Sequence, residues 1–121
     1  MLDKEQINKN KEEAIQKLCI LMMICDRDIH DKEYEKVIDV IEKHSMYEIS
    51  FDQISDLVSE VAFEREQKGL EKLSIELASK IKSKKFQVIT MSYLTDIMKR
   101  DGQIHDQEVK YLDYIKDYWA Q

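Results

Sequence analysis

Two short acidic segments of the chain share a pattern of residue types suited to cation binding. Residues 26–33 read DRDIHDKE and residues 101–108 read DGQIHDQE, so five of the eight positions are identical. A repeated turn of this kind indicates a repeated structural unit. Each segment concentrates carboxylates, whose oxygens are the ligands that hard cations such as Ca²⁺, Mg²⁺ and Mn²⁺ prefer. We call residues 26–33 the first acidic corner and residues 101–108 the second.

The carboxylates of both corners are the candidate metal ligands. They are Asp26, Asp28 and Glu33 in the first corner and Asp101, Asp106 and Glu108 in the second. Neither corner is an EF-hand loop, because the twelfth position counted from Asp26 is Val37 and that counted from Asp101 is Leu112, where a bidentate glutamate is required. Ligands for one cation must therefore come from more than one segment, such as both corners brought together by the repeat.

Helix capping is the alternative explanation of these carboxylates. An acidic side chain at the start of a helix is stabilised by unpaired backbone N–H groups and by the helix dipole, typically by ~0.3–1 kcal/mol. Capping accounts for Glu33, Asp106 and Glu108 without a metal, and Asp26 and Asp101 can bond the backbone of their own turns. A duplicated turn preserves caps as readily as ligands, so the repeat leaves both explanations open.

Two histidines occupy equivalent places in the corners. His30 and His105 either add nitrogen ligands for zinc, manganese or iron, or lie exposed where the next helix begins. Nucleophilic catalysis has less support, because Cys19 and Cys25 fall in an apolar run rather than beside a base. The chain also lacks a glycine-rich phosphate loop, a zinc-protease motif and a paired-cysteine motif. We therefore expect a protein that is not an enzyme.

Composition predicts a single all-α domain. A chain of 121 residues is long enough to bury a core, and with no proline and only two glycines it favours long helices over a sheet. The net charge of -6 argues against a general nucleic-acid binder, which needs a concentrated basic face. The one lysine cluster is typical of a solvated helix end; it comprises Lys80, Lys82, Lys84 and Lys85.

The spacing of apolar residues predicts about six helices. The first runs from Asp3 to about Cys25, the second from His30 to about His44, and the third starts near Ser50. Gly69 separates the third helix from the fourth, the fifth starts near Lys85, and the sixth spans residues 106–119. Helices one and two, joined by the first corner, are thus echoed by helices five and six, joined by the second.

Each helix has an expected core-facing stripe. The stripes are Ala14, Leu18, Leu21, Met22 and Cys25; then Tyr34, Val37, Ile38 and Ile41; then Ile54, Leu57, Val58 and Val61; then Leu70, Leu73, Leu77 and Ile81; then Phe86, Ile89, Tyr93, Leu94, Ile97 and Met98; and last Val109, Leu112 and Ile115, with Tyr118 or Trp119. Residues 18–25 are apolar on every face, which predicts a central core helix, and eight residues are too few to cross a bilayer.

The first residues do not follow the pattern of a signal peptide, and two thiols in an apolar run suit a reducing compartment. We therefore expect a cytoplasmic protein that is not inserted in a membrane. Its oligomeric state is left open.

The corners resemble those of the TerB-like family, named for bacterial tellurite resistance and related to the N-terminal domain of DjlA-type co-chaperones. A core helix, an Asp-Gly-any-Ile turn and an acidic residue opening the next helix recur near both ends of the chain, and the resemblance extends from about Lys11 to Trp119. The second corner matches this pattern. In the first, Arg27 replaces the glycine and Asp28 follows it.

The resemblance implies a single TerB-like helical domain over residues 1–121, compact and without enzymatic activity. It further implies a link to tellurite or oxidative stress and to phage defence, a divalent cation at the corners, and a protein partner of unknown identity. The corresponding acidic positions are Asp26, Glu33, Asp101 and Glu108.

Two other functions remain open. One is a purely structural protein-interaction domain without a metal, whose contact surface is an exposed apolar or acidic helix face. Aromatic residues near the C-terminus can supply such a face, although core packing is the more common role for most of them: Tyr111, Tyr114, Tyr118 and Trp119. The other is a metal-dependent hydrolase.

Overall fold

The computed structural model describes residues 4–24, 38–39, 51–99 and 106–121. Every regular element in these ranges is a helix, which confirms the all-α class. The helices are α1 (Lys4–Ile24), α2 (Phe51–Lys68), α3 (Leu70–Ala78), α4 (Lys84–Met98) and α5 (Asp106–Trp119). The predicted helix from His30 to His44 lies outside the described residues except for two helical positions, 38 and 39, so the count of six and the repeat stay predictions.

The C-terminal third of α1 lies in the middle of the core. Residues 18–24 are all buried, and α1 contacts α2, α3 and α4. A helix that is buried on every face must be surrounded by its neighbours. The predicted central core helix is confirmed, although Cys25 lies outside the described residues.

Gly69 connects α2 directly to α3. Its φ of 85° and ψ of 158° fall in a region that essentially only glycine adopts. The Gly69 N–H donates to the Arg65 carbonyl oxygen at 2.9 Å, and the Gly69 carbonyl accepts from the Leu73 N–H at 3.1 Å. One helix therefore ends and the next begins across a single residue, at the glycine where the sequence predicted a break.

The core-facing stripes of α2 and α3 follow the predicted spacing. In α2, Ile54 and Val61 are buried and Leu57 and Val58 pack against the core at its edge. In α3 the buried residues are Leu73, Ser74, Leu77 and Ala78. Ile81 is buried as predicted but follows the end of the helix.

The predicted stripe of α4 is confirmed in the second half of the helix, whereas Phe86 and Ile89 are not part of the buried core. Leu94, Ile97 and Met98 are buried, but Phe86 is exposed in the first turn of the helix. Thr90 occupies the buried stripe instead, because its hydroxyl donates to the Phe86 carbonyl oxygen at 2.6 Å and so needs no water.

The helix α5 has the predicted bounds, and one of its predicted core residues is wrong. Leu112 and Ile115 are buried, but Val109 is 41% exposed. Tyr111 is buried in its place, and its hydroxyl donates to the Leu18 carbonyl oxygen at 2.6 Å. This bond between α5 and α1 satisfies the tyrosine hydroxyl inside the core, so Tyr111 rather than Val109 lies on the buried face.

No helix in the described part of the chain is long and apolar enough to span a bilayer.

Candidate functional site

The structure describes two of the six candidate metal ligands. Asp106 is the first residue of α5 and is exposed, whereas Glu108, in the same first turn, is 1% exposed. The other four candidates, Asp26, Asp28, Glu33 and Asp101, lie outside the described residues, as do His30 and His105.

Glu108 lies on the buried stripe of α5, one helical turn before Tyr111 and Leu112. A carboxylate removed from water needs hydrogen bonds or a nearby positive charge, because its desolvation is otherwise costly. An ordinary capping carboxylate faces the solvent, as Asp106 does. Of the two described carboxylates of the second corner, Glu108 is thus the one that lies inside the fold rather than at its surface.

The described carboxylates do not form a metal site by themselves. Within residues 4–24, 38–39, 51–99 and 106–121, no group of three or more His, Cys, Asp or Glu side chains is arranged to hold a metal ion. The predicted site shared by both corners depends on residues that lie outside the described ranges.

An ion-pair cluster between α1 and α2 was not predicted from the sequence. Lys17 is only 8% exposed, and its Nζ lies 2.7 Å from Glu60 Oε1, 3.4 Å from Glu64 Oε1 and 3.5 Å from Glu13 Oε1. The cluster continues to α3 through Lys68, whose Nζ is 3.5 Å from Glu64 Oε2 and 2.9 Å from Glu76 Oε1. We call these six side chains the Lys17 cluster.

The electrostatics of the Lys17 cluster favour its charged forms. Burial alone lowers the pKa of Lys17, but the hydrogen bond to Glu60 and the charges of the neighbouring glutamates outweigh it, so the pKa is raised. The hydrogen bond from Lys17 lowers the pKa of Glu60. An ammonium surrounded by three carboxylates is suited to joining helices and poorly suited to giving up a proton.

The sequence contained a weak signal for Lys17. It lies four residues after Glu13 and directly before Leu18, at the edge of the apolar stripe of α1. The pattern does not reveal Glu60 and Glu64, because their approach depends on how α2 packs against α1.

An open groove of about 670 Å³ lies between α3 and the first half of α5. It is lined by Lys68, Gly69, Leu70, Glu71, Lys72, Ile75, Gln107, Lys110 and Tyr114, and we call it the α3–α5 groove. At the other end of the two helices, Trp119 Nε1 donates to the Ala78 carbonyl oxygen at 3.0 Å. The helices therefore run in the same direction, with both N-terminal ends at the groove.

Cys19 lies in the core, and the lysine cluster lies on the surface. Burial raises the pKa of the Cys19 thiol to about 12, so Cys19 is not an activated nucleophile. All four lysines of the cluster between residues 80 and 85 are exposed, in agreement with a solvated helix end.

Comparison with protein-family models, curated proteins and solved structures finds no match to this chain. The TerB-like resemblance therefore stays a prediction based on the two acidic corners.

Proposed function

We propose that this chain is a non-enzymatic, TerB-like module of six helices that binds a divalent cation at its acidic corners. In the cytoplasm it would pass its metal-bound state to a protein partner, in the response to tellurite or oxidative stress or in phage defence. The observation that supports the cation site best is the burial of Glu108 in the first turn of α5.

The proposed site combines both corners. A buried carboxylate supplies one fixed oxygen ligand, and Asp106 lies two residues before it. Asp101 and the first-corner residues Asp26, Asp28 and Glu33 would complete an oxygen-rich set suited to Ca²⁺, Mg²⁺ or Mn²⁺, and the corner histidines would favour Zn²⁺.

The test is the thermal stability of the chain with each of these four metals. A ligand that binds only the folded protein stabilises it, by about 2.7 kcal/mol at a hundredfold excess over the Kd. We expect one of the metals to raise the Tm of the native chain. Asp101→Asn combined with Glu108→Gln should abolish the rise, because both changes remove a charged ligand and keep the side-chain size.

Two further variants make this experiment decisive. Asp113→Asn with Asp117→Asn makes the same change in charge at exposed positions of α5, and it should keep the metal response. Asp101→Asn with Asp106→Asn avoids the buried position and should also lose the response. If no metal raises the Tm of the native chain, the cation site does not exist.

A metal-free interaction domain is the second candidate. Phe63 is 65% exposed on α2 and Val88 is 70% exposed on α4. Exposed apolar side chains of this size are available for contact with another protein. This function would stand if the chain showed no metal response.

A further inference from the structure

The α3–α5 groove differs in charge from the rest of the molecule. Its lining carries three lysines, Lys68, Lys72 and Lys110, against one glutamate, Glu71, whereas the chain as a whole has a net charge of -6. Lys68 is already bonded to both carboxylate oxygens of Glu76 at 2.9 Å. Lys72 and Lys110 are exposed on opposite walls of the groove, and they are the cations that an incoming ligand would meet.

The helix directions add to this positive charge. The N-terminal ends of α3 and α5 both lie at the groove, and a helix carries a partial positive charge at that end. The start of α3 has Gly69 as its N-cap, without a side-chain hydrogen bond. At α5 the carboxylates of Asp106 and Glu108 in the first turn offset this charge. An anionic group in the groove would therefore meet Lys72, Lys110 and the positive end of α3.

The groove also has an apolar part. Leu70 and Ile75 of α3 and Tyr114 of α5 are partly buried and line it between the lysines. A tyrosine with two aliphatic neighbours forms a contact surface for an apolar side chain of a ligand. A ligand that matches the whole groove combines carboxylates with an apolar side chain.

We propose that the α3–α5 groove binds an acidic peptide segment of a partner protein. Carboxylates of the segment pair with Lys72 and Lys110, and an apolar side chain between them contacts Tyr114 and Ile75. This inference rests on the partner-binding part of the proposed function and names the chemistry of that partner. A nucleic acid fits less well, because two exposed lysines do not make a broad basic face. A second copy fits less well because two chains of charge -6 repel each other.

The test uses the full chain and a fluorescein-labelled peptide of repeated Glu-Asp-Leu units, with binding followed by fluorescence anisotropy. The neutral control peptide has repeated Gln-Asn-Leu units. We expect the acidic peptide to bind at least about tenfold more tightly than the neutral one, since charge complementarity selects between them. Raising the salt concentration should weaken the difference, because both lysines are exposed.

Matched charge reversals locate the binding. Lys72→Glu with Lys110→Glu should weaken acidic-peptide binding by about tenfold or more, whereas Lys82→Glu with Lys84→Glu should change it by less than about twofold. All four lysines are exposed, so neither pair of changes disturbs the core, and both pairs change the net charge equally.

Four results would overturn the proposal. They are no binding of the acidic peptide, equal binding of the neutral peptide, equal weakening by both pairs of charge reversals, and displacement of the peptide by an equal concentration of inorganic phosphate. Sedimentation of the native chain adds a fifth. Self-association that Lys72→Glu with Lys110→Glu removes would assign the groove to a second copy.

The two proposals fail separately. The metal response is measured again on Lys72→Glu with Lys110→Glu, where a working cation site gives the same rise in Tm. Peptide binding is measured on the native chain without added metal. Loss of one result with retention of the other shows which proposal is wrong.

Discussion

Tyr111 and Glu108 bring polar groups into the core from neighbouring positions on α5. The spacing of residues 108, 111, 112 and 115 is that of one helical face, and all four are buried. A ranking by apolarity selects Val109 and passes over Glu108 and Tyr111. A polar side chain can occupy such a face when its polar atom finds a partner inside the protein, as the Tyr111 hydroxyl does at Leu18.

Replacing Tyr111 with phenylalanine tests that bond. The change keeps the ring and removes the hydroxyl that donates to the Leu18 carbonyl oxygen at 2.6 Å. We expect Tyr111→Phe to lower the free energy of unfolding by about 1 kcal/mol, measured by urea denaturation. Tyr114→Phe, at a partly exposed position of the same helix, is the control and should change it by less than about 0.5 kcal/mol. Equal effects of the two changes would contradict the importance of the Leu18 bond.

Among the helices, the connection between α2 and α3, which we call the joint, depends on the backbone conformation of Gly69. An added Cβ at Gly69 would meet nothing within 4 Å, so the space around the residue is open. The constraint is the positive φ combined with an extended ψ. The sequence predicted the break because glycine interrupts a helical pattern, but it could not predict that α3 would start at the very next residue.

We expect Gly69→Ala to destabilise the protein by about 1–3 kcal/mol through backbone strain alone. Gly69→Asn should be as harmful, because asparagine tolerates the left-handed helical region but not an extended ψ at positive φ. Thermal unfolding of the two variants gives the measurement. A fully stable Gly69→Asn protein would show that the joint adopts the left-handed helical conformation instead.

Sequence patterns identified the bounds of single helices better than the contacts between them. The predicted first, third, fifth and sixth helices agree with α1, α2, α4 and α5, because apolar spacing and Gly69 are local features. The fourth, α3, ends at Ala78, before the predicted Ile81. Pairing is not local. The approach of Glu60 and Glu64 to Lys17, and the groove shared by α3 and α5, follow from packing that no single segment encodes.

The candidate cation site was predicted from residue types only. The structure shows Asp106 at the surface and Glu108 in the core, a difference that a shared motif does not express. The remaining four carboxylates lie outside the described residues, so their positions stay predictions.

The Lys17 cluster links three helices and makes the stability of the folded protein depend on pH. The pKa of Glu60 is lower in the folded protein than its ordinary value of 4.5, so its contribution is present above that pH and is lost as the pH falls through the folded value. The pKa of Lys17 is raised above 10.5, so its contribution is present below that pH and is lost only as the pH rises beyond the folded value. The cluster therefore stabilises the protein across the neutral range.

Lys17→Met should lower the free energy of unfolding at neutral pH by about 1 kcal/mol. The effect is small because solvent screens the ion pair between Lys17 and the half-exposed Glu60. The difference from the native chain should shrink below pH 4.5, as Glu60 becomes protonated. Denaturation at pH 7 and pH 3 measures both effects, with Lys82→Met at an exposed position as the control. A difference that is the same at both pH values would mean that Lys17 acts through packing and not through charge.

The enclosure of α1 has a consequence for how the protein is made. Residues 18–24 leave the ribosome before the helices that cover them, and α4, one of these helices, ends only at Met98. At about 5–20 residues per second, this apolar stretch waits on the order of 4–15 seconds for its last neighbour among these helices. During that interval the nascent chain presents an unshielded hydrophobic segment, so newly synthesised copies are the ones most exposed to aggregation and most in need of a chaperone.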